Sequence, residues 1–385
     1  MNSQGPRVAV VGAGVIGLWC ALFLAQRGAR VTVIERAPER AMRGVRFGAE
    51  SASAQAAGML APFSETLHEP TIGAHPDGFA LRLAGLRAWR SRFDLLDGEG
   101  IGGPFGGALV LAQSQARADA VSQLAVRAHE AGGRLEWLDR AALDEYGGAI
   151  CGLVLHDEGL MHPRPALIAI AAAAAAHGVR FRAMAAEAIH QAPGGWRVVG
   201  DDAGEALQAD EIVLAPGAWA DARLIACAPE LSVLQPASGC VIEVEGLCLP
   251  RTVRADTVYV TGGGSVQRIG GGMLMRRRSN DVDSALRDQL LQDAQALLGR
   301  RTPAGRTVRE CVRAVRGGVR PLSPDGAPMI GRARDSAILI AAGHGRNGWL
   351  LAPLTGEMIA ACIFEEPMKP LWSAFSPNRF ERALS

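Results

Sequence analysis

Residues 7–36, RVAVVGAGVIGLWCALFLAQRGARVTVIER, decide the fold. Arg7–Val11 is a β-branched apolar run of the kind buried on both faces of a parallel sheet. Gly12, Gly14 and Gly17 follow in the G-x-G-x-x-G spacing. The first glycine permits a tight turn, the second lets a pyrophosphate approach the backbone, and the third lets the helix pack against the strand. A helix from about Val15 directs its N-terminal N–H groups and positive dipole end at that pyrophosphate. The next strand, VTVIE, ends on Glu35, where a carboxylate holds ribose hydroxyls. Strand, glycine turn, helix and terminal acid in register predict dinucleotide binding. The motif alone does not choose between NAD and FAD, and Arg36 leaves room for NADP.

The bulk properties exclude several classes of function. The chain has 385 residues, enough for two domains or for one domain with a large insertion. Forty Lys+Arg against 39 Asp+Glu give a formal charge of +1, so no bulk field favours nucleic acid or an anionic membrane. Seven cysteines are scattered and never spaced C-x-x-C, which argues against a disulfide or metal framework and for a reducing interior. The N-terminus lacks a charged segment followed by an apolar one. The longest apolar run, residues 166–176, is well short of the ~20 residues that span a membrane. A cytoplasmic protein is expected, without a metal, a nucleic-acid partner or a membrane span.

Beyond the first unit the chain alternates. ESASAQAAGMLAP (50–62) reads equally as a close-packed helix or as a helix N-terminus near a second phosphate, with Ser51 and Ser53 as hydroxyl donors. Amphipathic helices at 80–96 and 116–132 flank a glycine-rich strand, GGPFGGALVLAQ. A helix follows at about 163, then a hairpin over 186–200, then a second buried strand, EIVLAPGAWA. Residues 232–275 are strand-like, 281–300 form a helix with a solvated face, and TVRECVRAVRGG is a strand. Dinucleotide-like segments recur at 7–35, 179–220 and 338–363. The closing strand-turn-helix therefore arrives only at the C-terminal end. It brings glycines 343, 345 and 348 and another positive helix end to the cofactor. A flavin needs such a pole, because its reduced ring carries negative charge.

Five segments together resemble the D-amino-acid oxidase superfamily of flavoproteins, most nearly its glycine oxidase branch. They are VAVVGAGVIG…VIER, SAQAAGMLAP, DEGLMHPRPAL, IVLAPGAWA and GGVRPLSPDGAPMIGR…ILIAAGHGRNGWLLAPLTGEMIA. The resemblance implies an α/β fold: a glutathione-reductase-type FAD-binding Rossmann domain interleaved with an α+β substrate domain on an antiparallel sheet. The expected division gives residues 1–80, 146–225 and 321–385 to the FAD domain and 81–145 and 226–320 to the substrate domain. By the same resemblance, FAD contacts Val15 and Ile16 in the first loop and Glu35 and Arg36 at the ribose. It also implies contacts at Ala52, Ser53, Ala57, Gly58 and Met59, at Ala186 near the adenine, at Gly217, and from Gly343 and His344 through Gly345, Arg346, Asn347, Gly348 and Trp349 to Leu350. Arg320, in the family's G-x-R-P motif, binds the substrate carboxylate beside the ring; Tyr259, Arg346 and Met59 complete the reacting site. Three departures concern the substrate: Arg316-Gly317 replaces Trp-Ala, MHP replaces Val-Asp-Pro, and VTGGG follows Tyr259 where a proline-basic pair is usual. No cysteine or histidine stands where covalently flavinylated relatives attach the ring, so FAD is expected to be non-covalent.

The chemistry implied is oxidative deamination of a small amino acid of the glycine, sarcosine or D-amino acid type. Hydride passes from Cα to flavin N5, and the imine hydrolyses to a 2-oxo acid. A buried guanidinium at Arg320 grips a carboxylate through two directional hydrogen bonds. His344 is expected to contact the ring or serve structure, since a neutral amine needs no histidine base, and Asp325 is a turn residue. O2 or an electron carrier reoxidises the flavin, and the sequence leaves homo-oligomer formation open. Alternatives are an amino-acid dehydrogenase that does not use O2, a flavoprotein subunit of a multi-subunit amine dehydrogenase, and an NAD(P) enzyme using only the first βαβ unit. If Arg316 faces the flavin, a substrate with a second anionic group is expected. Strand alternation keeps Arg313 out of the same site unless a bulge intervenes.

Overall fold

The computed structural model describes residues 5–35, 51–68, 75–201, 206–247, 249–299, 305–334 and 336–383. Arg36 lies outside them. Arg7–Val11, helix Val15–Gln26 and Arg30–Glu35 form the expected βαβ unit, with Val8 opposite Val31 in parallel register. The three recurring segments converge: Arg7–Val11 pairs with Glu211–Leu214, which pairs with Leu339–Ala342, all parallel. Arg180–Ala183 extends one edge, and Met329–Arg332 closes the other in antiparallel pairing.

Helix Val15–Gln26 is buried on nearly every face, from Val15 through Leu24. It has no polar side to expose, because helices Pro163–Ala176 and Gly348–Ile363 cover what the sheet does not. A Cβ on Gly356 would stand 2.6 Å from Phe23 and 2.7 Å from the Trp19 carbonyl, so this glycine permits a close helix crossing. Gly17 does the same toward the sheet, where a Cβ would meet the Gly12 carbonyl at 1.9 Å.

The second architectural unit is a ten-stranded sheet. Its long members are Gly102–Ala112, Cys151–Met161, Gln235–Glu245 and Val312–Leu322. It is mixed rather than purely antiparallel, because Thr252–Arg254 runs parallel to Ala108–Val110. Sheet membership also departs from the expected domain limits. Cys151–Met161 pairs with Gly102–Ala112, and Met59–Leu60 adds to its free edge, so residues assigned to the FAD half lie in the larger sheet. The reason for Met59–Leu60 is local. Gly58 has φ +84 and passes so near the Met161 carbonyl that a Cβ would stand 2.0 Å away. The helix expected over 50–62 is thereby cut to Ala52–Gln55.

Along Gln235–Glu245, Cys240, Ile242 and Val244 face an apolar core shared with the inner side of helix Ser284–Leu298. Gly239 and Val241 face the other way, into a cavity between the two sheets.

Candidate functional site

The cavity encloses about 770 Å³ and runs from the glycine turn to the face of the larger sheet. Its first pole is built from backbone. Gly12 (φ +108) turns so close to Ala215 that a Cβ would stand 2.3 Å from that carbonyl. The Glu35 carboxylate accepts the Ala13 N–H at 3.0 Å, and Ser53 Oγ accepts the Val15 N–H at 3.0 Å. Ser51 caps its own short helix by accepting from Ala54. In this structure both serines therefore serve as acceptors of helix N–H groups, and Ser53 ties the second segment to the first helix N-terminus. Ala186 and Gly217 line the same end.

The C-terminal turn supplies the other pole. His344, Gly345, Arg346, Asn347, Gly348 and Trp349 line the cavity, from the turn into the first residues of helix Gly348–Ile363. Trp349 Nε1–H donates to the Ser53 carbonyl at 3.1 Å, which locks this turn to the 51–59 segment. His344 is buried, and burial lowers its imidazole to about 3, so it is neutral. Thr355 donates its hydroxyl to the Leu351 carbonyl at 2.9 Å. It therefore accepts from His344 Nε2–H, also at 2.9 Å.

The far wall holds Arg320, Tyr259, Met59, Arg346 and Glu65. Arg320 is the only side chain here whose charge has no partner among the described residues: its Nη1 is buried and makes no hydrogen bond. Burial lowers its pKa, the nearby Arg346 adds to that, and Tyr259 opposes it. Gly239 makes room for the guanidinium, since a Cβ there would stand 2.5 Å from Nη1. Gly270, the cross-strand partner of Tyr259, makes room for the phenol, with 2.2 Å to a hypothetical Cβ.

Arg346 is placed differently from Arg320. Its Nε and Nη2 donate to the two oxygens of Glu65, at 2.9 and 3.3 Å. Arg254 donates to Glu65 at 2.7 Å and to Ser64 Oγ at 2.6 Å. Ser64 in turn donates its hydroxyl and its N–H to Glu158, at 2.8 and 2.7 Å. Burial alone would raise Glu65, yet Arg346 and Arg254 hold it well below the usual carboxylate range. Burial pushes Glu158 up. The fork of Arg346 is thus already engaged, and Arg320 keeps the unmatched positive charge.

Of the residues expected at the site, Gly17, Gly343 and Leu350 do not line the cavity. Gly17 serves helix–strand packing, and Leu350 is buried in the core of the FAD-side sheet. Gln55, Glu65, Ser64, Glu158 and Arg254 were not anticipated. Glu158 carried a signal, an acid beside Asp157 in HDEGLM with apolar residues on either side of the polar run. Arg254 carried a weaker one, a charge between strand residues in TVRADTVYV.

Arg316 and Arg313 also separate. Arg313 falls at the irregularity opposite Glu243 and Val244 and pairs with Glu245. Arg316 meets Glu243 at 3.4 Å and does not line the cavity. Asp325 accepts the Ala327 N–H within its turn and also pairs with Arg379 at 2.8 Å. No helix among the described residues is long and apolar enough to cross a membrane.

The residues present fit a flavin dinucleotide. Glycines form both turns that line it, two helix N-termini converge on it, and an unmatched guanidinium closes its far end. Comparison with known proteins agrees. The profile of the FAD dependent oxidoreductase family matches residues 7–362. The glycine oxidase of Bacillus licheniformis is 29% identical over 388 residues, covering 97% of each chain. The bifunctional protein ThiO/ThiG of Trichormus variabilis is 29% identical over 394 residues, covering 98% of this chain and 56% of its own length. The chain thus spans about half of that relative. The crystal structure of glycine oxidase from Geobacillus kaustophilus matches with a TM-score of 0.82 at 27% identity, covering 97% of this chain and 99% of that one.

Proposed function

We infer the reaction of this chain from its membership: it belongs to the FAD dependent oxidoreductase family. The reading is oxidative deamination of a small amino acid, of the glycine, sarcosine or D-amino acid type. One observation carries it, the buried and unpartnered Arg320 Nη1 at the end of the cavity. A buried cation without an anion is costly unless a ligand supplies one, and a carboxylate matches the guanidinium fork.

Bound FAD supplies the acceptor for the hydrogen and electron pair of the substrate Cα–H. Glu35, the Gly12–Gly14 turn and the 344–349 turn would hold it, with Ser53 bracing the Val15 N–H, and without a covalent link. Arg320 binds the carboxylate and so fixes where Cα stands. Tyr259 presents its phenol from the adjoining strand, and Met59 closes the apolar side against water. Arg346, held by Glu65, adds a fixed positive charge and positions that wall. His344 holds its only ring proton in the bond to Thr355 and takes no part in removing one from the amine. Electrons leave Cα as the nitrogen lone pair closes C=N. The amine proton passes to solvent, and water then converts the free imine to a 2-oxo acid and ammonia or an amine.

An anaerobic substrate panel tests this. Small amino acids should bleach the flavin band while their decarboxylated amines leave it nearly unchanged. Equal bleaching by both would overturn the reading. Acid precipitation should leave the yellow colour in the supernatant.

A further inference from the structure

The cavity face of the larger sheet carries a second cationic cluster. On Val312–Leu322, the residues 316, 318 and 320 share one face; Gly318 and Arg320 line the cavity there. Arg316 therefore lies on the Arg320 face, four residues away, or roughly 13 Å of extended strand. Over Gly318, between them, packs Gln55, whose Cβ would stand 3.3 Å from a Cβ at that glycine. Gln55 is 6% exposed and lines the cavity. Its Oε1 accepts from Arg164 Nη2 at 3.4 Å.

Behind Gln55, three arginines surround one carboxylate. Arg268 reaches Glu243 at 3.2 Å, Arg316 at 3.4 Å and Arg164 at 3.8 Å. Arg268 also donates to the carbonyl of Ala56, a cavity residue, at 2.6 Å. Glu243 is buried, whereas Arg164 and Arg316 keep 35% and 39% of their side-chain surface. Three cations on one anion leave two positive charges in excess. Nearby His162 adds none at neutral pH, since burial, followed by Arg268, lowers its pKa. By contrast, Arg254 and Arg346 share the buried Glu65, with Glu158 one serine further on. This second excess lies on the solvent side of Gln55, in line with Arg320.

We propose that Gln55, Arg164 and Arg316 form a distal anion subsite, and that the preferred substrate is an amino acid carrying a second anionic group. The proposal rests on the reading that Arg320 takes the first carboxylate. The amide of Gln55 meets the second group at the cavity wall, and the two half-exposed arginines supply its counter-charge from behind. Glu243 limits the strength of that field.

The experiment compares kcat/KM within isosteric pairs: aspartate against asparagine, glutamate against glutamine, both enantiomers of each, and N-carboxymethylglycine against N-carbamoylmethylglycine. At least one acid should exceed its neutral partner by about tenfold or more. Arg316→Ala should lower that acid-to-neutral ratio about tenfold, while Glu243→Gln should raise it. Arg313→Ala, on Glu245 beyond the strand irregularity, should leave it unmoved. A merely structural Arg316–Glu243 pair would make the first two variants change activity in the same direction. That result, or neutral partners equal to or better than every acid, would overturn the subsite while leaving the proposed reaction standing. No bleaching by any amino acid would overturn both.

Discussion

The two poles of the cavity are made of different material. The cofactor end is mostly backbone: a turn at Gly12 (φ +108) whose Ala13 and Val15 N–H groups are held by Glu35 and Ser53, and a second turn with its own glycines. The opposite end, where the substrate is proposed to bind, is charged side chains from four separate segments: Glu65, Arg320 and Arg346 on the wall, with Arg254 on Glu65 behind it. A dinucleotide is the same for every member of such a family, and backbone groups suffice to hold it. A substrate is recognised by its own functional groups, and charged side chains are the means to match them. The first pole tolerates small losses; the second holds buried charges that depend on one another.

The largest effect should come from breaking that interdependence. Glu65→Gln removes the carboxylate shared by Arg254 and Arg346 and leaves two buried guanidinium groups with no full counter-charge. The expected loss is about 3–5 kcal/mol of stability, read by denaturant unfolding of the flavin-loaded chain. A loss under about 1 kcal/mol would show that the wall is not a coupled unit.

His344, in the C-terminal turn, gives a pH-dependent effect. Its pKa is lowered to about 3 in the fold, against 6.5 for the free side chain. Between these values the unfolded chain binds the extra proton. Its contribution is complete above about pH 6.5 and is lost as pH falls toward 3. The slope is about 1.4 kcal/mol per pH unit at most. His344→Gln, which still offers an N–H to Thr355, should flatten this part of the acid limb. An unchanged limb would mean that His344 is not buried as neutral imidazole.

At the cofactor pole the effect should be smaller. Ser53→Ala deprives the Val15 N–H of its acceptor, a cap loss of about 1 kcal/mol. The flavin should bind a few-fold more weakly, measured by fluorescence titration of the apoprotein. A loss of several orders of magnitude would place the serine on the cofactor itself.

The same contrast explains what the sequence made legible. Residues 7–35 were readable because a phosphate turn is a local device, complete within one βαβ unit. Arg320 was readable because its glycine pair and proline mark a special backbone. Glu65 was not: nothing in APFSETLHEP distinguishes a surface acid from one buried against Arg254, about 190 residues away in sequence. The helix expected over 50–62 failed for a related reason. Its alanines favour a helix, but Gly58 has to pass the Met161 carbonyl, a contact set by a strand about 100 residues on. The sheet expected to be antiparallel is mixed because pairing of Thr252–Arg254 with Ala108–Val110 is likewise non-local.

The central claim is that the unmatched charge at Arg320 is held for the substrate carboxylate. Arg320→Leu removes it while leaving the backbone that holds the cofactor, so the variant should purify yellow and folded. In steady-state assays with an electron acceptor, kcat/KM for the amino acid should fall by roughly two to four decades, the equivalent of about 3–5 kcal/mol. The decarboxylated amine should lose little. Near wild-type kcat/KM for the amino acid in this variant would contradict the account.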